Sequence, residues 1–570
     1  MDKEADIIFV GGGTSACVAA GRLAAANPDL EILLIEQGPD NFKDPSVSTP
    51  ALFPTHLSPE SKTALFWRGT KSEATNGRET GSMGGGIFGG GSSINFMMYA
   101  RPAASDFDDW NTVGWGSQDL IPLLQKISYS GYFAQIAQEY LDVCADRGIP
   151  VANDLMDFHT GHGSGRLAKY IDPITGQRQD AAHQFIHTQS RNKSLRVVTK
   201  TLVTRVLFEG TKAIGVEVIT NKKQDANADP TPRKITARKL IVVSSGAIPT
   251  PLILQRSGVG DATLLRKLGI NVVVDLPGVG TEYQDHGMSY TPFFVPGNTD
   301  TCDPLLAQEP RVMDAAMAQF KEGRGLLTSN FNDAGSKIRP TTVELKGMGP
   351  AFNQYWKQHF ESAPDKPFLL RRSIRPPSIV PAKSRLMMFA NFVGYPISRG
   401  YVRITSTDPY APPDFCSGVI EEQADVEVHK WIYKKTREVA RRMPSYRGEL
   451  ALLHPKFPEG SAAACIRLDE PLPKVLNDLV YTTEDNKAIE DFVRQFADAT
   501  PHSLGTVRMS PKENGGCVDA RLNVYGTTQL KIADLSILPG NVGANPYSSA
   551  LLVGEKAAFL IAEDLGLNLP

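Results

Sequence analysis

The sequence predicts an α/β fold with a parallel sheet at its amino-terminal end. Three observations support this prediction. An apolar run is followed by a glycine turn, a helical stretch and a second apolar run. The chain has 570 residues, which is enough for two or three domains. Its 50 glycines and 40 prolines indicate many turns and loops, as in a large α/β protein.

The amino-terminal pattern has five parts in order. Asp6–Val10 is a short apolar run that predicts a buried parallel strand. Glycines 11–13 follow at once, and the Ala- and Leu-rich stretch Ala16–Ala26 predicts a helix. A second strand is predicted over Glu31–Ile35, and it ends at the acidic residue Glu36. This order is typical of a dinucleotide site in a Rossmann-like domain.

Each part of the pattern has a chemical reason. Gly11 permits the tight turn, and Gly13 allows the backbone to approach a pyrophosphate. The helix that begins near Thr14 and Ser15 directs N–H groups and a positive dipole end at the phosphates. Glu36 is placed to accept hydrogen bonds from ribose hydroxyls. The motif does not distinguish NAD from FAD, and a tight turn in another α/β protein is the alternative interpretation.

A second glycine-rich segment spans residues 81–101 and contains two runs of three glycines. Because glycine is unfavourable in regular structure, we expect neither a helix nor a strand there. A flexible linker is one interpretation. However, the segment continues directly into the apolar residues 94–99, which must be buried. This favours a backbone that packs tightly against a flat ligand.

Composition and charge exclude several classes. The net charge of −2 gives no basic excess, so we expect no nucleic-acid partner. The six cysteines form no CxxC pair, which argues against a zinc site or a disulfide framework, and we predict no metal. We find no signal peptide, no apolar run long enough for a membrane and no SKL-type carboxy-terminal tripeptide. We therefore expect an intracellular, cytoplasmic protein.

Separated motifs resemble the signatures of the glucose–methanol–choline (GMC) oxidoreductases. They occur in the family's order along the chain, over Gly89–Asn95, Gly246–Gly258, Pro277–His286, His502–Thr506 and Ala533–Pro546. Within the family, the chain is most similar to the fungal and yeast alcohol (methanol) oxidases. That likeness is carried by residues 92–101, 337–341, 364–367, 523–526 and 534–536.

The resemblance implies two discontinuous domains. A Rossmann-like FAD-binding domain is expected over residues 1–155, 191–300 and 491–570. A substrate-binding domain of antiparallel sheet and helices is expected over residues 156–190 and 301–490. Helices are predicted over Val312–Lys321 and Gln423–Arg441, and residues 385–405 are strand-like.

The resemblance also implies FAD as the cofactor and a set of residues that hold it. These residues are Gly11, Gly13, Thr14, Ser15, Glu36, Gly91, Ser92, Asn95, Phe96, Met97, Val203, Ser245, Asp534, Leu535, Asn545 and Pro546. Choline-type members attach FAD through a histidine just after the double serine. This chain has Ile94 there, so we expect FAD to be bound without a covalent bond.

The catalytic residues implied by the family motif are His502 and Asn545. Histidine has a pKa suited to take the hydroxyl proton of an alcohol while the flavin N5 takes the hydride. Asn545 would bond the substrate oxygen. The alternative for Asn545 is a helix cap, because Asn favours the N-cap and Pro546 the first helical position. Both roles can hold together.

The substrate pocket is expected to include Phe96, Met98 and Pro501. Core packing is the alternative for Phe96 and Met98. Methanol oxidases usually carry Trp directly before the catalytic His, where this chain has Pro501. Loss of an indole removes a large wall, which favours alcohols bulkier than methanol.

The predicted function is therefore an FAD-dependent oxidase that converts a primary alcohol to an aldehyde and O2 to hydrogen peroxide. Three alternatives stay open: a dehydrogenase with a quinone-type acceptor, a tailoring oxidase acting on a metabolite's hydroxymethyl group, and a non-catalytic flavin-binding protein. The expected partners are a small alcohol and O2, with no nucleic acid and no membrane. A monomer or small homo-oligomer is expected.

Overall fold

The computed structural model describes residues 4–124, 129, 132–299, 301, 305, 309–367, 369–373 and 385–569. Two large sheets organise these residues. One sheet is mainly parallel and the other is antiparallel, and helices cover them. The mixed α/β fold with a Rossmann-like domain and an antiparallel second sheet confirms the predicted fold class.

The first sheet contains the amino-terminal strand near its centre. In spatial order its strands are Leu195–Val198, Ile32–Ile35, Glu4–Val10, Arg233–Val243, Lys212–Thr220 and Thr201–Glu209, and Leu530–Ile532 pairs with Arg233–Val243. The first four strands and Leu530–Ile532 run parallel, with Ile7 opposite Ile32 and Leu240. Residues 5–10 are buried, as expected for a strand covered on both faces.

The amino-terminal elements agree with the prediction to within two residues. The helix covers Thr14–Ala26, and the second strand covers Ile32–Ile35. Residues 221–232 connect the antiparallel strands Lys212–Thr220 and Arg233–Val243. These elements depend on local apolar patterns, which the sequence displays directly.

The second sheet is antiparallel and holds a second apolar core. In spatial order its strands are Asp498–Ala499, Gly287–Val295, Arg385–Val393, Leu369–Ser373, Ala334–Ile338 and Gly163–Arg166. Two of them, Gly287–Val295 and Asp498–Ala499, fall inside segments predicted for the FAD-binding domain. The division of the chain into domains stays a prediction, but its boundaries at 300 and 491 cut across this sheet.

Helices surround both sheets. The longer ones are Thr14–Ala26, Gln135–Asp146, Pro249–Arg256, Pro310–Phe320, Gly349–His359, Gln423–Ala440, Thr483–Phe496 and Tyr547–Leu565. Shorter helices are Pro45–Ser48, Gly91–Ile94, Ala104–Asp108, Ser117–Leu120, Ala262–Lys267 and Thr342–Lys346. Small two-stranded sheets pair Ala64–Ser72 with Arg78–Gly85, Val259–Gly260 with Val274–Asp275, and Tyr401–Arg403 with Asp414–Cys416.

Two details differ from the prediction. The strand-like region 385–405 is broken, because Arg385–Val393 and Tyr401–Arg403 belong to different sheets. The expectation that neither glycine run enters regular structure is wrong for both runs, since Gly91 of the second run begins the short helix Gly91–Ile94. Gly84 and Gly85 end the strand Arg78–Gly85 and pair with Leu65 and Ala64, because pairing with a neighbouring strand outweighs the low strand preference of glycine.

The described part of the chain contains no helix that is both long and apolar enough to cross a membrane. Five of the six cysteines are described, and all five are free thiols. Cys17, Cys144 and Cys517 are buried, while Cys416 and Cys465 are partly exposed. Cys302 lies outside the described residues.

Candidate active site

The first glycine turn begins at Gly11, which has a φ of +98°. A Cβ there would lie 2.7 Å from the carbonyl oxygen of Ser244, so only glycine fits. The helix that follows has Gly13 as its N-cap, with neither a side-chain cap nor an acidic residue in its first turn. Neither a capping side chain nor a carboxylate of the first turn therefore competes for the first N–H groups of this helix, and such a helix start can bind an anion.

The hydroxyls of the first helical turn make bonds within the protein. Ser15 Oγ donates to the carbonyl of Ala550 at 2.7 Å, and Thr14 Oγ1 donates to that of Gly89 at 3.3 Å. The first bond joins this helix to the carboxy-terminal helix Tyr547–Leu565. A direct role for Thr14 and Ser15 in cofactor binding stays a prediction, carried by their backbone N–H groups rather than by these hydroxyls.

Glu36 lies at the carboxyl end of its strand and faces the glycine turn. Its Oε2 accepts from the Gly12 N–H at 3.0 Å, and its Oε1 accepts from the Gly38 N–H at 2.8 Å. Burial raises the pKa of this carboxyl to about 7, although these backbone hydrogen bonds act in the opposite direction. The bond from a ribose hydroxyl to this carboxylate stays a prediction.

The second glycine run packs directly on the first. The Gly89 N–H donates to the carbonyl of Gly12 at 2.8 Å. Gly90 has a φ of +58°, and a Cβ there would lie 2.8 Å from the Cα of Gly13. The second glycine run therefore packs tightly against the first glycine turn, while its predicted packing against a flat ligand stays a prediction.

Ser92, Asn95 and Met97 follow this contact. Ser92 Oγ donates to the Gly89 carbonyl at 2.6 Å and accepts from the Ala181 N–H at 3.1 Å. Asn95 Oδ1 accepts from the Met97 N–H at 2.8 Å. Gly91 is exposed, whereas Met97 is fully buried at a φ of +52°. Their predicted contacts to FAD remain predictions.

Arg178 holds this segment in place, and no sequence motif indicated this role. Its guanidinium donates to the Ser92 carbonyl at 3.1 Å and to Asn95 Oδ1 at 3.0 Å. Burial lowers the pKa of Arg178 to about 10. A buried arginine far along the chain has no local sequence pattern that predicts its partners.

Asp534 ties the carboxyl ends of the parallel strands together. Its Oδ2 accepts from the Gly246 N–H at 2.9 Å and from Thr250 Oγ1 at 2.6 Å, and its Oδ1 accepts from the Ser536 N–H at 2.8 Å. Ser245 Oγ donates to the Val10 carbonyl at 2.8 Å. These bonds place Asp534 and Ser245 at the edge of the sheet where the glycine turn lies.

Two further predicted cofactor residues are Val203 and Leu535. Val203 is buried in the strand Thr201–Glu209. The Leu535 carbonyl accepts from the Gly505 N–H at 3.1 Å, which connects it to the turn after His502. The predicted contacts of Val203 and Leu535 with FAD stay predictions.

The two predicted catalytic side chains meet. His502 Nε2 and Asn545 Nδ2 are 2.9 Å apart. His502 follows the short strand Asp498–Ala499 of the second sheet, whereas Asn545 precedes the helix that packs on Thr14–Ala26. The pair therefore lies where the two sheet systems meet.

The capping interpretation of Asn545 is wrong. The N-cap of the helix Tyr547–Leu565 is Pro546, and this helix has no side-chain cap bond. The Asn545 side chain is directed at His502 instead. The expectation that Pro546 occupies the first helical position is corrected in the same way, since the helix begins one residue later.

Asp285 and His286 surround His502 and were not singled out as site residues. Asp285 Oδ1 accepts from the backbone N–H groups of His502 at 3.1 Å and Thr500 at 3.0 Å. His286 Nδ1 lies 2.8 Å from His502 Nδ1. Burial raises the pKa of Asp285 to about 6, against the hydrogen bonds that it accepts. Both residues belong to the Pro277–His286 motif, which supported the family resemblance but was not assigned to the site.

The predicted pocket residues occupy different environments. Phe96 is partly buried, and its ring centroid lies 4.2 Å from that of Phe53. Met98 is buried, and its sulfur accepts from Asn330 Nδ2 at 3.1 Å. Pro501 is exposed beside His502. Packing therefore accounts for much of the surroundings of Phe96 and Met98, and their contact with substrate stays a prediction.

The donor set fits FAD. An uncapped helix start and two glycine turns in contact offer backbone N–H groups to a pyrophosphate. Glu36 stays the predicted ribose acceptor beside the first glycine turn, and the bond from the Gly505 N–H to the Leu535 carbonyl links the turn after His502 to the same edge of the sheet. An acid, a phosphate cradle and a base at one sheet edge are typical of a dinucleotide-dependent oxidoreductase.

Comparison with known proteins gives the family. Residues 5–288 match the amino-terminal GMC oxidoreductase model, and residues 396–554 match the carboxy-terminal one. The chain belongs to the GMC oxidoreductase family, which confirms the resemblance, and FAD is its cofactor. It is 40% identical to an alcohol oxidase of Pichia angusta, over 100% of this chain and 96% of that protein.

Other relatives and solved structures agree. An alcohol oxidase of Candida boidinii is 37% identical, over 100% of this chain and 96% of that protein. An FAD-dependent oxidoreductase from Chaetomium thermophilum superimposes with a TM-score of 0.82 at 23% identity, covering 99% of this chain and 100% of that one. A formate oxidase gives 0.83 at 21% identity, with 99% of both chains covered. These two structures support the fold.

Proposed function

We propose that this FAD-dependent oxidoreductase is an alcohol oxidase, which converts a primary alcohol and O2 to an aldehyde and hydrogen peroxide. His502 is the general base in this proposal, and Asn545 binds the alcohol oxygen. The likeness to yeast alcohol oxidases over the whole chain supports the oxidase activity. The dehydrogenase alternative has no such support.

One observation carries the assignment of roles: the 2.9 Å approach of His502 Nε2 and Asn545 Nδ2. An alcohol oxygen placed against this pair can accept from the amide N–H and donate its proton to the imidazole. As the proton leaves, negative charge develops on oxygen, and the amide N–H stabilises it. FAD, when bound, supplies the hydride acceptor. The proposal needs no further ionisable group at the substrate.

FAD is held without a covalent bond in this proposal. Ile94, at the position of the attachment histidine of choline-type members, carries no nucleophile and is 4% exposed. Acid precipitation of the holoenzyme is expected to release all the yellow colour into the supernatant. Colour that stays with the protein pellet after washing would contradict the proposal.

The preferred alcohol is bulkier than methanol in this proposal. Pro501 stands directly before the base and is exposed, so it builds less of a wall than an indole would. The substrates to compare are therefore methanol, ethanol, longer aliphatic alcohols and benzylic alcohols. A hydroxymethyl group on a larger metabolite is the extreme of this series.

The test is peroxide release under air, measured with a coupled peroxidase across that series. We expect peroxide in proportion to alcohol oxidised, with kcat/KM higher for a larger alcohol than for methanol. Reduction of a dye without peroxide would favour the dehydrogenase. If no alcohol gives peroxide, dye reduction or flavin bleaching, the protein is a non-catalytic flavin-binding protein and the proposal fails. Highest kcat/KM for methanol would contradict only the size preference.

A further inference from the structure

His286 is fully buried, and both of its ring nitrogens have partners. Its Nε2 lies 2.9 Å from the carbonyl oxygen of Val542 and 3.1 Å from that of Gly394. Its Nδ1 lies 2.8 Å from Nδ1 of His502. The two rings are nearly perpendicular, at 86°, with their centroids 5.0 Å apart. This arrangement restricts where the protons of both rings can be.

The partners fix a direction for each hydrogen bond. Carbonyl oxygens only accept, so Nε2 of His286 carries a hydrogen. A neutral imidazole has one N–H, and burial away from water favours the neutral ring. Nδ1 of His286 is then an acceptor, and Nδ1 of His502 must donate to it. On the other side of His502, the amide nitrogen of Asn545 can only donate, so Nε2 of His502 accepts.

We propose that His286 is a positioning residue that holds the proton of His502 on Nδ1. The Nε2 lone pair, which accepts from the Asn545 amide in this structure, then takes the hydroxyl proton when a bound alcohol replaces that bond. The inference rests on the proposed function and adds a residue that acts through the base without touching substrate. When Nε2 takes the hydroxyl proton, the resulting imidazolium keeps its bond to His286 Nδ1. His286 thereby stabilises the charged ring in the transition state.

Other groups hold His502 by its backbone and do not select a tautomer. Asp285 and His286 are two titratable side chains that hydrogen-bond His502. Asp285 accepts from the His502 backbone N–H, not from the ring. Phe392 packs edge-on against the His502 ring, with centroids 5.4 Å apart. His286 and Asn545 contact the two ring nitrogens of His502, so both are placed to control its ring proton.

Two amide variants separate this role from a structural one. In His286→Asn, the amide oxygen can occupy the place of Nδ1 and accept from His502, but the bond to the carbonyls is lost. In His286→Gln, the amide nitrogen can occupy the place of Nε2 and donate to those carbonyls, but the Nδ1 acceptor is lost. Each variant thus keeps the hydrogen bond of one ring nitrogen of His286 and loses that of the other.

The measurement is kcat/KM for one alcohol against pH, with FAD content and melting temperature, in wild type and both variants. For His286→Gln we expect a loss of at least about tenfold, bounded by the ~10⁴-fold loss that follows a wrong histidine tautomer in a protease triad. Its acid limb is expected to move to lower pH, because the imidazolium loses an acceptor. His286→Asn keeps more activity and the wild-type acid limb.

The reverse order of activities would overturn the inference. If His286→Gln is active while His286→Asn is inactive and less stable, then His286 serves only to hold the chain at Gly394 and Val542. Wild-type activity in both variants would overturn it as well. If both lose activity, an acid limb that shifts in His286→Gln alone supports the inference, and unchanged limbs contradict it. His502→Ala, measured alongside, tests the proposed function independently of these outcomes.

Discussion

At the scale of single residues, the structure distinguishes two roles that the sequence left open for Asn545. A capping residue would direct its side chain back at the helix, whereas Asn545 directs its amide at Nε2 of His502. The Asn545 side chain makes no capping bond to the helix Tyr547–Leu565. Truncation of Asn545 should therefore lower turnover without lowering stability.

Asn545→Ala is expected to leave the melting temperature close to that of wild type and to lower kcat. A hydrogen bond to a charged group contributes about 1.5–3 kcal/mol, which corresponds to a loss of about 10- to 100-fold. Thermal unfolding and steady-state kinetics on the same holoenzyme preparation make the comparison. Full turnover with a lowered melting temperature would restore the capping role and remove Asn545 from the site.

The sequence located His502 and Asn545 through family motifs, but it did not locate His286 as their neighbour. His286 and His502 are 216 positions apart in the chain, and their contact depends on how two segments meet in space. Arg178 was missed for the same reason, since its partner Asn95 is 83 positions away. Side-chain partners across such separations leave no local pattern.

At the scale of elements, the two glycine turns form one unit. Gly90 adopts a φ of +58°, and its missing side chain makes room for Gly13. Local patterns were sufficient to predict the strands and helix around the first turn. They were not sufficient for the strand Arg78–Gly85, because its pairing with Ala64–Ser72 decides that Gly84 and Gly85 are extended.

Gly90→Ala is expected to destabilise the protein by about 2–5 kcal/mol, from backbone strain together with overpacking against Gly13. The matched control is Gly77→Ala, because Gly77 also has a positive φ of 71° but a Cβ there would meet nothing within 4 Å. The control should lose only about 1 kcal/mol. Denaturant unfolding and FAD content measure both. Equal losses in the two variants would show that the glycine contact is unimportant.

At the scale of the whole molecule, two cores meet at the catalytic pair. The second core contains a buried ion pair, Arg437 Nε to Glu449 Oε1 at 2.9 Å, with both side chains 0% exposed. Glu449 also accepts from the Ile466 N–H at 3.0 Å and from Tyr446 OH at 2.6 Å. Burial acts to raise the pKa of Glu449, but Arg437 and these hydrogen bonds outweigh it and lower the pKa.

Arg437→Met is expected to destabilise the protein by about 3–5 kcal/mol at neutral pH, because it removes the nearer cation from the buried Glu449 and leaves it Arg441, whose Nη1 is 3.9 Å away. A lowered folded pKa gives wild type stability that is present above the unfolded value of 4.5 and lost as pH falls through the folded pKa. The difference in unfolding free energy between wild type and variant should therefore narrow as the pH falls through the folded pKa of Glu449. Denaturant unfolding at several pH values measures it, and a gap that widens in acid would contradict the account.

The sheet assignments show what the sequence could predict at this scale. The antiparallel second sheet was expected from the family, but the strands Gly287–Val295 and Asp498–Ala499 were placed in the first domain. Gly287–Val295 pairs with Arg385–Val393 on one side and with Asp498–Ala499 on the other. Proximity in sequence to flavin motifs favoured the first domain, whereas long-range pairing puts both strands in the second sheet. This pairing also brings His502, three residues after Ala499, to Asn545, which precedes the helix Tyr547–Leu565.

The central claim is that His502 takes the hydroxyl proton of an alcohol bound beside FAD. Its most direct test is anaerobic flavin reduction by a primary alcohol in a stopped-flow instrument, with wild type and His502→Ala each loaded with FAD. We predict bleaching by the alcohol in wild type and a rate lower by about 10²- to 10⁴-fold in the variant. Bleaching of His502→Ala at the wild-type rate would contradict the claim.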